Sequence, residues 1–206
     1  MRGASLLPFD MQLQKYYIKY MPVLNCSQKF MKALGKNAGK IFPAAASAYQ
    51  DKSVLGDWTA HLVFFSRIRF ALFVNNKTVL TLFIPYAPKE KLMERFRHAL
   101  FRELVNLGVP AAKATEEVIC YDNFTLEKNT DRSMAGYLNQ ITFEYKYLII
   151  YHMEDNETVD LEKIQASIND SPRVKRTSCF PNDYVRELFG LEKLSYLQKY
   201  GRYNTE

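Results

Sequence analysis

Between Asp57 and Pro85 the chain carries three short apolar runs, separated by Ser66-Arg67 and by Asn75-Asn76-Lys77. No other stretch constrains the fold as tightly. The runs are dense in aromatic and β-branched residues, which suit a pleated surface and crowd a helix. Their period is two. His61, Val63 and Phe65 share one side of an extended chain, with Leu62 and Phe64 on the other; Phe70, Leu72 and Val74 alternate with Ala71 and Phe73. Leu80, Leu82 and Ile84 alternate with Val79, Thr81 and Phe83. Apolar residues on both sides mean that both faces are covered, as in the middle of a sheet. Asn75-Asn76 tolerates the left-handed backbone of a tight turn, and Pro85, which has no N–H for a ladder, ends the third run. The pattern predicts a three-stranded antiparallel meander over about 58–85.

Two helical patterns follow. Over 89–107, Leu92, Phe96, Leu100, Leu104 and Leu107 recur on one face until Gly108-Val109-Pro110 stops the helix. Over 132–153, Met134, Leu138, Ile141, Tyr145, Leu148 and His152 form a stripe behind an N-cap at Thr130 or Asp131. Glu117–Tyr121 and Phe124–Glu127 read as short strands. Val23-Leu24-Asn25-Cys26-Ser27 reads as a first strand, with Ser27 capping a short helix that stops at Gly35. Residues 35–52 read as a loop with one helical turn at Ala44–Tyr49. Beyond 153, helices are expected over Leu161–Ile168 and Asp183–Phe189. The expected fold is α+β: a mostly antiparallel sheet built on the meander and covered by the helices at 89–107 and 132–153. The expected division is an arm over 1–20, one domain over 21–153, and an acidic segment followed by a basic, partly helical tail over 154–206.

With 48% apolar residues the 206-residue chain can bury a real core. No apolar run approaches the ~20 residues of a membrane span. The N-terminal Leu6-Leu7 stretch is too short for a secretory signal. Cys26, Cys120 and Cys179 are odd in number and widely spaced, which fits a reducing compartment, so a cytoplasmic location is expected. The net charge of +6 is segregated. Residues 1–52 hold eight basic and two acidic side chains, 53–113 nine and four, 114–170 four and twelve, and 171–206 seven and four. Such blocks most often attract one another across a fold; the functional alternative is a basic surface for nucleic acid or another polyanion.

Groups able to do chemistry are sparse. His61, His98 and His152 are scattered, no Cys-x-x-Cys pair occurs, and no Gly-rich phosphate loop is present, so no metal site and no cofactor are expected. One constellation stands out: Trp58 and His61 at the start of the sheet, Arg67 and Arg69 beside its first turn, and Arg132 with Ser133 at a helix N-terminus. Arginine forks and a positive helix end suit a phosphate or carboxylate. His61 would be the acid or base of any reaction there. The plainer alternative is that His61 packs as a half-buried strand residue, Trp58 plugs the sheet, and Asp131-Arg132-Ser133 caps a helix. Three functional classes stay open: a non-enzymatic binding module for nucleic acid or another anionic partner; a nuclease-like enzyme acting on a phosphate-bearing substrate through His61; and a protein-interaction component of a mobile-element or toxin–antitoxin system. Tyr16, Tyr17 and Tyr20 in a basic arm could stack on bases in the first of these.

Two segments together resemble a known family. Gly56-Asp57-Trp58-Thr59-Ala60-His61-Leu62, followed by Arg67 and Leu72-Phe73-Val74-Asn75-Asn76-Lys77-Thr78, is similar to the opening of the prokaryotic domain family of unknown function numbered 6933. Asp131-Arg132-Ser133-Met134-Ala135-Gly136-Tyr137-Leu138-Asn139 resembles its second signature, and Val23–Ser27 its usual start. The resemblance spans about residues 21–153 and implies a shared domain without a mechanism. Where members carry a more polar and charged turn, this chain has Ser66-Arg67-Ile68-Arg69-Phe70.

Overall fold

A computed structural model describes residues 21–35, 38, 53–154, 158–173 and 180–193. The expected turn at Ala44–Tyr49 and the tyrosine arm lie outside them. Five strands form one sheet in the order β4-β3-β2-β1-β5, where β1 is Val23–Cys26, β2 Trp58–Phe65, β3 Ile68–Asn75, β4 Thr81–Pro85 and β5 Thr125–Lys128. The meander is present: Trp58 pairs with Asn75 and Phe65 with Ile68 across β2 and β3, and Leu72 pairs with Phe83 across β3 and β4, all antiparallel.

The sheet as a whole is mixed, not mostly antiparallel. β1 runs parallel to β2 and to β5, so β3 alone opposes the other four strands. The cause lies in the connections. Parallel neighbours need crossovers of a dozen residues or more, and long segments precede both β2 and β5. Two four-residue strands carry too little periodicity to announce such pairing. A second correction concerns Glu117–Tyr121, read as a strand: it belongs to the end of a helix, Ala111–Ile119, and the turn after it. Pro110 stops one helix and, with its fixed φ, starts the next over the alanine-rich Ala111-Ala112-Lys113-Ala114.

We number the helices α1 (Gln28–Leu34), α2 (Leu92–Asn106), α3 (Ala111–Ile119), α4 (Arg132–Glu154), α5 (Leu161–Asn169) and α6 (Pro181–Leu188). They cover both faces of the sheet. On one face Trp58, Ala60, Leu62, Phe73 and Leu82 pack with Phe30 of α1, Phe96 and Leu100 of α2, Ala114 of α3 and Val185 of α6. On the other, Val63, Phe70, Leu72, Val74 and Phe83 pack with Met134, Leu138, Ile141, Tyr145 and Ile149 of α4 and Ile164 and Ile168 of α5. The alternation along β2 and β3 is the sequence pattern made physical: odd and even residues feed two separate cores. Phe83 is stacked between Phe70 and Tyr145, with ring centroids 4.6 and 4.2 Å away.

The outer edge of β4 is sealed by side chains, not by another strand. Asn169 accepts from the Thr81 N–H (2.8 Å) and donates to the Thr81 carbonyl (3.0 Å), while Gln165 accepts from the Phe83 N–H (2.9 Å). Both amides also donate to the buried Glu103 carboxylate. Two helices thereby complete a hydrogen-bond ladder that would otherwise end in apolar surroundings.

Candidate functional site

The geometry of interest sits where β1 and β5 end. Cys26 pairs with Ala60 on one side and Lys128 on the other, the Ser27 N–H bonds to the Ala60 carbonyl, and the Asn129 N–H bonds to the Cys26 carbonyl. From these adjacent parallel ends α1 leaves toward one face of the sheet and α4 toward the other. The chain leaves these ends in opposite directions, a switch point of the kind beside which open α/β sheets place a crevice, outside the carboxyl ends of the strands. β2 continues five residues past Ala60, from His61 to Phe65, so the β2–β3 hairpin walls one side of it.

His61 stands at the foot of that wall. It lies one residue beyond Ala60, as Asn129 lies one beyond Lys128, which puts the two about 10 Å apart across two strand spacings. The imidazole is half-buried, and its shielded Nδ1 meets no hydrogen-bond partner. Its pKa is lowered below the ordinary histidine value by burial, then by Lys29 at the start of α1 and Lys146 on α4. The charges of two lysines, on helices that pack on opposite faces of the sheet, are thus felt at this imidazole. Neither lysine belonged to the sequence-derived set.

The six sequence-derived residues do not form one cluster. Trp58 has no exposed surface: its ring packs edge-on against Phe96 at 5.2 Å and Tyr121 at 6.2 Å, in the core. Arg67 occupies the exposed turn at the tip of the hairpin, past the end of β2 and so roughly 15 Å from His61. Arg69 pairs with Phe64 and lies over the Tyr86 ring at 5.3 Å, on the opposite face from His61. Arg132 and Ser133 open α4, exposed, three and four residues beyond Asn129. The Ser133 and Met134 N–H groups bond to the Asp131 carboxylate, at 2.8 and 3.1 Å, so this helix end is already capped. Lys146 lies fourteen residues along α4 from Arg132, roughly 21 Å, so the charges felt at His61 are those of Lys29 and Lys146, with Arg132 at the far end of the helix.

The outward side of α4 adds a second element. Phe143, Tyr147 and Tyr151 are 69%, 58% and 51% exposed, with Ile150 beside them. At 100° per residue Arg132, Phe143, Tyr147 and Ile150 fall on one stripe, and Lys146 borders it. Exposed aromatics gathered on one helix are unusual on a soluble surface and mark interaction faces.

The signature segments turn out to build the scaffold. The Asp57 carboxylate accepts the Val23 N–H (2.8 Å) and so sets β1 beside β2. Asn75, fully buried, donates to the Leu55 and Asp57 carbonyls and accepts from the Lys77 N–H and from the Thr78 N–H and hydroxyl. Glu117 accepts from the Ser53 hydroxyl, the Val54 and Leu55 N–H groups and the Tyr121 hydroxyl, which pins the chain entering β2.

Fold and crevice together define a three-layer domain with a mixed five-stranded sheet and a switch point at its centre. The chain belongs to the domain family of unknown function DUF6933, whose match covers residues 23–184. No curated protein and no solved structure matches it. Among the described residues no helix is long and apolar enough to cross a membrane, and no three His, Cys, Asp or Glu side chains group as a metal site would need.

Proposed function

We propose that the domain is a binding module for an anionic partner, with single-stranded nucleic acid as the best fit. The reading is carried by the exposed aromatics of α4, Phe143, Tyr147 and Tyr151, with Lys146 beside them on the same helix, and the positive charge of Lys29 and Lys146 felt at His61 supports it. Cations there would hold phosphates, and the exposed Phe143, Tyr147 and Tyr151 would stack bases along the same helix. Arg132 would extend the cationic track along the aromatic stripe. A phosphodiester-cleaving activity is the second reading, favoured by a histidine held neutral and so able to accept a proton.

Fluorescence anisotropy with a labelled single-stranded oligonucleotide, taken across a salt series, tests the first reading. Affinity should fall steeply with salt. Lys29→Gln and Lys146→Gln should each flatten the log–log slope by about 0.7. Phe143→Ala should weaken binding roughly tenfold with the slope unchanged. Acidification through the lowered His61 pKa should tighten binding, since protonation adds a cation at the site. Absent or salt-independent binding at low ionic strength overturns the proposal, and turnover lost in His61→Ala replaces it with the second reading.

A further inference from the structure

We infer that α4 pairs antiparallel with α4 of a second copy of this chain, and that this pairing closes the face on which the exposed aromatics would stack bases. The pairing stands on α4 alone, whereas its bearing on nucleic acid rests on the proposed function. α4 runs 23 residues, or about 34 Å. Its inner side, through Met134, Leu138, Ile141, Tyr145 and Ile149, packs on the sheet. Its outer side carries Phe143, which at 69% is the most exposed of the large apolar side chains among the described residues, with Tyr147 and Ile150 along the same stripe. An apolar stripe of this kind marks an interaction face.

The stripe is self-complementary about Phe143. At 100° per residue Arg132, Gly136, Ile150 and Glu154 all lie within about 20° of Phe143 around the helix, and all four are exposed. Gly136 and Ile150 stand seven residues from it on opposite sides, and Arg132 and Glu154 eleven. A two-fold axis at Phe143 therefore sets Arg132 opposite the partner's Glu154, Ile150 opposite the partner's Gly136, and Phe143 against its own copy, an isologous contact. Along the rest of the seam Tyr147 meets the partner's Asn139 and Lys146 the partner's Gln140, so no like charges face each other. A parallel pair would set arginine against arginine and glutamate against glutamate, so charge selects the antiparallel arrangement. Exposed ion pairs add little affinity, and their part here is to fix the register. Gly136 adds an independent reason. Glycine is the poorest helix former after proline, yet it stands inside a long helix. Apart from the helix backbone and its chain neighbours, no heavy atom lies within 4 Å of where a Cβ at this position would be. The packing of the single chain thus gives it no purpose, whereas a notch there seats the partner's Ile150 and lets the helix axes approach to about 8–10 Å.

Sedimentation velocity of the full-length protein, without nucleic acid and from about 1 μM to about 1 mM, tests the pairing over the range in which a small interface associates. A reversible monomer–dimer equilibrium is expected. Phe143→Glu should weaken the dimer at least about tenfold. Arg132→Glu and Glu154→Arg should each weaken it about fivefold, and the two combined in one chain should restore it, as only the antiparallel register requires. Gly136→Gln should raise the melting temperature of the monomer, glutamine being the better helix former, while weakening the dimer about tenfold, which separates the interface from the fold. A short single-stranded oligothymidine at saturation should convert the dimer into a complex holding one copy of the chain. A chain that stays monomeric throughout overturns the inference, as does a dimer unchanged in Phe143→Glu, a combined charge exchange that fails to restore association, or an oligonucleotide complex that still holds the dimer. A dimer that responds to the substitutions as expected but binds no oligonucleotide upholds the pairing and removes the proposed function, so the two fail separately.

Discussion

Asn169→Leu should be among the most destabilising substitutions in this chain, although it removes no apolar surface. The side chain is fully buried and makes four hydrogen bonds: it accepts from the Thr81 N–H and hydroxyl and donates to the Thr81 carbonyl and to Glu103. Leucine keeps the volume and cannot replace any of them. The Thr81 hydroxyl retains Tyr145 and Glu103 retains Gln165, so their losses are partial. The Thr81 N–H and carbonyl, by contrast, lose their partner on the edge of β4. At about 1–3 kcal/mol for each stranded buried group, the substitution costs roughly 2–6 kcal/mol, a large share of a typical folding free energy of about 5–15 kcal/mol. Gln165→Leu strands one backbone group, the Phe83 N–H, and should cost about half as much.

Equilibrium urea unfolding checks this. With a slope of about 2 kcal/mol/M, a loss near 4 kcal/mol moves the midpoint down by roughly 2 M with the slope itself unchanged. An opened β4 edge is also a template for pairing, so the variant should associate at high concentration where the wild type does not. A loss under about 1 kcal/mol would falsify the argument, because it would mean that water reaches Thr81 and that the amides are surface decoration.

Two further outcomes follow from the same chemistry. Burial raises the Glu103 pKa, so the folded state holds this proton more tightly than the unfolded chain does. Its contribution is fully present below the ordinary glutamate range and is lost as pH rises through the raised value. Wild-type stability should therefore decline across that window, while Glu103→Gln, measured by urea midpoints at several pH values, should lack the decline. Asn75→Ala strands the Leu55 carbonyl and the Thr78 N–H, while the Asp57 carbonyl keeps the Asn76 N–H, and should cost about 2–6 kcal/mol by the same assay; Asn75→Asp should not rescue it, because a carboxylate cannot donate to the Leu55 carbonyl 3.0 Å away. A near-neutral Asn75→Asp would show that the turn holds itself.

The parts of the fold legible in the sequence were those in which one short segment carries its own pattern. β2, β3 and β4 alternate with period two and are joined by tight turns, so their pairing is local. Ser27 caps α1, its hydroxyl oxygen accepting from the Phe30 N–H, and Asp131 caps α4, both as their spacing suggested. β1 and β5 escaped a correct topology because parallel pairing joins Cys26 to Lys128, a hundred residues on, and four-residue strands hold no period that would record it. The helix over Ala111–Ile119 was missed in part because its last apolar residues, Val118 and Ile119, resemble strand formers when read alone. At the candidate site His61, Arg132 and Ser133 were found from residue chemistry. Lys29 and Lys146 were not, since nothing in a linear pattern tells two helical lysines from their neighbours. Arg67 and Arg69 were grouped with them by closeness in sequence, and an extended strand turns that closeness into distance.

The roles found for the signature residues bear on where function resides. Asp57 fixes the start of β1, Asn75 and Thr78 hold the β3–β4 turn, Trp58 fills the centre of one core, and Asp131 caps α4. Each acts on backbone groups or on packing, whereas His61 is half-buried beside the strand ends, with a shielded Nδ1 that finds no partner. Those residues thus define a frame: β1 and β5 side by side, with helices leaving in opposite directions from their ends. A frame of this kind fixes the position of the crevice and leaves its chemistry to side chains on the helices. Lys29, Lys146 and the exposed aromatics of α4 are such side chains. Exchanging them should change what is bound without disturbing the fold, whereas exchanging Asp57 or Asn75 should abolish both together.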